Sequence, residues 1–218
     1  MAQTFLNLTQ GVTGTLPTSN YVDNGGAFEK IEHKNITSAV SSIDFQQKFN
    51  ATYENYYLHV SHLRPSTDHS NLYMRFLSGT NTEFSTSVYN YSATDYNNVD
   101  GNNSFFGADT SFARITRGID TDSATTGKCS FTMNFMTPFT TDHPPEYMWH
   151  GSYRSQLYRP MVVGSGTVTN STAFTGVRFY QHTGNIAEFT GTLYGIKEWL
   201  ILVAKMESVL VVDGTSRC

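Results

Sequence analysis

Charge is scarce in this sequence, and the scarcity removes several classes of function. Only 15% of residues are Asp, Glu, Lys or Arg, against about 25% in an average soluble domain. The net charge is −4 and no cluster of Lys and Arg stands out. Nucleic-acid phosphates need such clusters, so no nucleic-acid partner is expected. Cysteine is nearly missing. Cys129 and Cys218 cannot frame a disulfide-stapled fold and their spacing matches no zinc site; both are expected to be free thiols. Long apolar runs are missing too. The longest, Trp199 to Ala204, falls far short of the roughly 20 residues of a membrane span, so no membrane partner is expected. The opening Met1–Phe5 has no basic n-region or apolar h-region, so no secretory signal is expected.

What the chain has in abundance is aromatic residues and turn formers. Tyr occurs 13 times and Phe 15 times, and Gly, Ser, Thr and Asn fill much of the rest. That mixture suits β-strands joined by tight turns. Residues 1–26 read as an extended arm. Its apolar positions Leu6, Leu8, Val12 and Leu16 are spaced by Thr, Gly and Asn, too sparsely to bury a core alone, and Asn24-Gly25-Gly26 then punctuates the chain.

From Phe28 the pattern becomes a run of short strands. Phe45 to Phe49 alternates weakly. Tyr53 to Leu63 alternates clearly, with Tyr56, Leu58, Val60 and His62 on one face and Tyr57, His59, Ser61 and Leu63 on the other. Pro65-Ser66-Thr67-Asp68 supplies a turn, and Leu72 to Phe76 is expected to return as the partner strand. Further strands are expected at Phe84 to Tyr91, Phe112 to Ile119, Cys129 to Phe135, Val162 to Val168, Phe174 to Tyr180 and Thr190 to Ile196. Residues 92–110, rich in Asn, Asp, Ser and Gly, predict a surface loop pinned by Phe105-Phe106. Pro138, Pro144 and Pro145 predict another loop. About eight to ten strands at short spacing, without a helix, indicate an antiparallel β-sandwich of jelly-roll-like form over residues 27–197. Residues 198–218 form an apolar extension that reads as two short strands or a helix.

Catalytic signatures are absent: there is no P-loop, no Gly-x-Ser-x-Gly elbow, no His-Glu-x-x-His and no Cys-x-x-Cys. His59, His62, Asp68 and His69 resemble a metal set on paper, but strand parity sends His59 and His62 to opposite faces. His143 and His150 fall in the Pro-rich stretch with Glu146 and Tyr147. Asp95 with Asp100, or Asp120 with Asp122, could pair as carboxylates, though loop carboxylates are usually just solvated. Neither an enzymatic activity nor a cofactor or metal is expected. Tyr89, Tyr91, Tyr96, Phe105 and Phe106 could form a sugar-stacking platform; Tyr89 and Tyr91 are expected in the core and Tyr96 at the surface. Asp95, Tyr96, Asp100, Phe105 and Phe106 are therefore the candidate contact loop.

Two stretches carry a resemblance. One comprises a tyrosine-rich strand, Leu63 to Asp68 and Leu72 to Phe76. The other comprises Gly176 to Phe179, Gly184 to Ala187 and Leu193 to Lys197. Together they resemble a β-sandwich domain of tailed-bacteriophage structural proteins, covering about residues 50–197. The arm Val12 to Pro17 is similar to a segment of phage fibre proteins. The resemblance implies a homotrimer on a virion surface. The leading expectation is a capsid decoration protein whose partners are copies of itself and the major capsid protein. The alternatives are a fibre or spike knob seated on a fibre base that binds host surface glycans and, more remotely, a free carbohydrate-binding module. Family members tend to end at the Leu-Tyr-Gly-Ile-Lys strand, whereas this chain runs on to Cys218. The arm residues Leu6, Leu8, Val12 and Leu16 and the extension residues Trp199, Leu200, Ile201 and Leu202 are the expected assembly elements.

Overall fold

A computed structural model of the chain describes residues 27–97, 101–121, 129–155 and 159–197. The arm residues Leu6, Leu8, Val12 and Leu16, the loop residue Asp100 and the extension residues Trp199 to Leu202 lie outside the described residues. The described residues form thirteen strands and no helix. In chain order these are β1 (Phe28–Ile36), β2 (Ser42–Phe45), β3 (Asn55–Pro65), β4 (Leu72–Ser78), β5 (Thr82–Glu83), β6 (Tyr89–Tyr96) and β7 (Asn102–Thr110). Then follow β8 (Ala113–Arg114), β9 (Cys129–Met136), β10 (Glu146–Ser152), β11 (Met161–Val168), β12 (Phe174–Gln181) and β13 (Ile186–Ile196).

The strands make two antiparallel sheets packed as a jelly-roll-like sandwich. The large sheet runs β1-β13-β3-β9-β10-β11-β6-β7, and the small one runs β2-β12-β4-β5 with β8 on β4. Rings meet across the gap, as in Phe131 of β9 with Phe179 of β12 at 5.8 Å and Phe45 of β2 with Phe189 of β13 at 6.3 Å. Phe76 sits at the centre of this core. It stacks on Phe174 at 4.7 Å and has Phe135, Tyr147, Tyr89 and Phe49 around it. Aromatic side chains bury the most area per residue, which is how a chain poor in Leu and Ile still fills a core. The buried Tyr89 hydroxyl is satisfied on both sides: it donates to the Phe84 carbonyl at 2.8 Å and accepts from the Phe76 amide at 2.9 Å. Cys129 is a buried free thiol on β9, as the sequence suggests, and burial pushes its thiol up to about 12.

Several local expectations need correction. Leu72 to Phe76 is not the hairpin partner of the preceding strand. β3 pairs β13 and β9, while β4 lies in the other sheet and pairs β12, β5 and β8. The turn at Pro65 to Asp68 is a corner between sheets, and β12 to β13 makes the matching corner. The two corners interlock: the Ser66 amide donates to the Asn185 carbonyl and the Asn185 amide to the Ser66 hydroxyl, both at 2.8 Å. Gly184 stands here at φ 73°, where a Cβ would run into Thr67. The stretches that carry the family resemblance are thus one physical unit.

Strand parity also fails within β3. The register of β3 shifts against both neighbours between Val60 and Leu63. This bulge turns Leu63 into the core and leaves His62 outside. His62 Nε2 lies 2.7 Å from Glu188 Oε2, and Arg64 donates to Glu188 Oε1 at 2.6 Å. Residues 92–96 and 102–110 are not loop but belong to the antiparallel strands β6 and β7, and residues 146–152 are a strand inside the expected Pro-rich loop. Conversely, within Phe112 to Ile119 only Ala113 and Arg114 form a strand.

Glu188 gives a pH prediction. Its hydrogen bonds to Arg64 and His62 hold its carboxyl down at about 2. A carboxyl lowered on folding stabilises the fold above its unfolded pKa, and that contribution is lost as pH falls through the folded value. Urea midpoints should therefore fall between about pH 5 and pH 2, and Glu188→Gln should flatten part of that slope. An unchanged slope in Glu188→Gln would rule the linkage out.

Candidate functional site

The outer faces of the two sheets differ in kind. On the small sheet, the Arg178 guanidinium forks onto Asp44, with Nε–Oδ1 2.7 Å and Nη2–Oδ2 2.5 Å, and reaches Glu83. Arg75 also donates to Glu83 at 2.5 Å and covers the Tyr180 ring at 5.0 Å. Asp44, Arg178, Glu83 and Arg75 form a chain of alternating sign across β2, β12, β5 and β4. The charges are paired, so this face is well suited to water.

The outer face of β9, β10, β11, β6 and β7 is different. Three consecutive rows of register-paired residues cross these five strands. The first runs Asn134, Met148, Ser165, Ser92, Phe106; the second Thr132, His150, Val163, Thr94, Ser104; the third Ser130, Ser152, Met161, Tyr96, Asn102. None of these fifteen positions holds Asp, Glu, Lys or Arg, and the next row on the same face carries the exposed Glu146 of β10. Five of them are exposed large hydrophobic residues: Phe106 (78%), Met161 (50%), Met148 (47%), Val163 and Tyr96. Exposed apolar groups gathered on one patch of a sheet mark an interaction surface more than single exposed side chains do. The second row continues across β3, β13 and β1 as His59, Thr192 and His33.

A second feature lies at the end of the β6–β7 hairpin. A cleft of about 320 Å³ has Asn71, Asp95, Asn103, Arg114, Arg117 and Tyr153 in its lining. Asp95 occupies an inward position of β6 where the alternation would place an apolar residue, and only 3% of it is exposed. The Tyr153 hydroxyl donates to Asp95 Oδ2 at 2.7 Å and accepts from the Arg117 amide at 3.2 Å. Asp95 Oδ1 is buried and meets no donor, and Arg114 Nε is buried and meets no acceptor. Arg114 instead lies over the Phe105 ring at 4.7 Å. Burial pushes the Asp95 carboxyl above its ordinary value, and burial together with Asp95 pushes the Tyr153 phenol up.

The candidate contact loop is therefore divided by strand alternation. Asp95 and Phe105 face inward, Asp95 at the cleft and Phe105 in the core; Tyr96 and Phe106 lie on the outer face. Tyr89 and Tyr91 are core residues, as expected, and no common aromatic platform forms. The polar sets on paper also separate. His69 pairs with Asp120 at 3.1 Å, Asp68 accepts from Thr121, and His62 pairs with Glu188. His150 is on the outer face, whereas His143 lines a different cleft with Tyr53 and Lys197. No group of three metal-ligating side chains occurs among the described residues.

Sequence reasoning missed Arg114, Arg117, Tyr153 and Asn103, which come from separate elements and meet only in the fold. It also missed Met148, Met161 and Val163, whose signal was available as apolar residues alternating with other apolar residues. The fold is a two-sheet β-sandwich that carries one outer-face patch with exposed apolar side chains and one polar cleft. Comparison with family models, curated proteins and solved structures finds no match.

Proposed function

We propose that this chain is a structural protein of a tailed-bacteriophage particle surface, a capsid decoration protein that assembles with copies of itself. The observation that carries the reading is the fifteen-position patch of the outer face that holds no Asp, Glu, Lys or Arg and five exposed hydrophobic side chains. Burying such a patch stabilises an assembly by roughly 25 cal/mol per Å² of apolar area, with no Asp, Glu, Lys or Arg within it to desolvate. The other face keeps its charges paired and suits exposure to solvent. The interlocked corners at Ser66 and Asn185 support the resemblance, because its separate stretches build one unit.

Light scattering on the purified full-length chain tests the assembly. About three times the chain mass of 24.3 kDa is expected, and a monomer at micromolar concentration would contradict it. Immunogold labelling of intact particles tests the location. Label over the capsid is expected; label confined to tail fibres would replace decoration by a fibre role.

A further inference from the structure

The cleft at Asp95 lies apart from the outer-face patch and asks for a ligand of its own. Burying a carboxylate oxygen with no donor is costly, and so is burying a guanidinium N–H with no acceptor. Asp95 Oδ1 and Arg114 Nε are both in this state, and both residues line the same cleft. The strand register puts Asn103 directly across from Asp95. Asn71 spends its Oδ1 on the Gly118 amide at 2.8 Å, which leaves its NH₂ group as a donor. The lining therefore offers acceptors and donors side by side.

The sign of the charges narrows the ligand. A metal ion or other cation would meet the guanidiniums of Arg114 and Arg117. An inorganic anion would meet Asp95. A neutral group whose atoms both donate and accept satisfies both, as vicinal hydroxyls on a ring do. The volume is at the small end of ligand sites, about the scale of one ring. We propose that the Asp95 cleft binds a single neutral sugar unit of a glycan, with Asp95 Oδ1 accepting from one hydroxyl and Arg114 donating to its neighbour. Tyr153 acts as a positioning residue: its hydroxyl holds Asp95 Oδ2 and so fixes the carboxyl beside the cleft.

The proposal separates binding from folding. Asparagine at 95 keeps an acceptor for Tyr153 and removes a buried charge, so Asp95→Asn should fold with an unchanged or higher thermal midpoint. A panel of neutral monosaccharides (glucose, galactose, mannose, rhamnose and N-acetylglucosamine) is titrated against the full-length chain and followed by saturation-transfer NMR. At least one sugar is expected to bind, with sulfate as a weaker ligand. Asp95→Asn and Asn103→Ala should each weaken that sugar about tenfold or more, the usual loss for one charge-assisted or buried hydrogen bond. Thr80→Asp, in the exposed turn between β4 and β5, should leave it unchanged. No binding by any sugar, tighter binding of sulfate, or equal affinity in a folded Asp95→Asn variant would each overturn the assignment. So would a loss of folding in both Asp95→Asn and Asn103→Ala, since the cleft would then be a structural network.

Discussion

Replacing Trp149 by alanine is expected to remove about 3–5 kcal/mol of stability, the range for deleting a buried large aromatic side chain. Trp149 lies on β10 and is 2% exposed. Its indole N–H donates to the Ile115 carbonyl at 2.9 Å, and its ring stacks with Tyr147 at 6.0 Å. The facing strand is shaped for it, because Gly164 of β11 leaves the space that a Cβ would take from the ring. Truncation opens a cavity in the core and leaves the Ile115 carbonyl without its donor. Single domains hold about 5–15 kcal/mol in total, so the urea midpoint should fall by a large fraction with the slope unchanged. Trp149→Phe should cost clearly less, because most of the volume stays. A loss below about 1 kcal/mol in Trp149→Ala would show that the site collapses freely and that the packing is not specific.

Placing two carboxylates on the outer face, as Met148→Asp with Phe106→Asp, is expected to abolish self-association while leaving the fold intact. The two positions share one register row, separated by Ser165 and Ser92. Both side chains are exposed, so the monomer has nothing to lose by the change. In an assembly, each carboxylate would be buried without a partner, a cost of several kcal/mol apiece. Light scattering should then report single chains where the unmodified protein shows about three, at least hundredfold weaker association by concentration dependence. Thr80→Asp, in the exposed turn between β4 and β5, serves as the control and should assemble normally. If the double variant assembles as well as the unmodified protein, the outer-face patch is not the interface.

Much of the fold was legible because burial imposes a period of two on each strand. Cys129, Phe131, Met133 and Phe135 alternate with Ser130, Thr132 and Asn134, and the structure buries the first set alone among these seven residues. The hairpin of β6 and β7 was hidden for an identifiable reason. β7 is an edge strand with one buried residue, Phe105, so its other positions carry the Asn, Ser, Gly and Asp of a loop. β10 was hidden behind Pro144 and Pro145, although Tyr147 and Trp149 alternate with Met148 and His150.

The sequence by itself determined the class of the protein: all-β, aromatic in its core, with a free buried thiol at Cys129 and strands at the expected places from β9 to β13 save β10. Local alternation and turn chemistry suffice for that, since each strand's pattern is written in neighbouring residues. Only the tertiary structure decided which strands pair, that Pro65 to Asp68 turns a corner between sheets, and that a bulge sends Leu63 inward and His62 outward. It alone brought Asp95, Asn103, Arg114 and Tyr153 to one cleft and gathered Met148, Phe106 and Met161 on one patch of the outer face. Those relations are set by register between strands far apart in the chain. Register is fixed by the packing of both faces at once, which no single segment encodes.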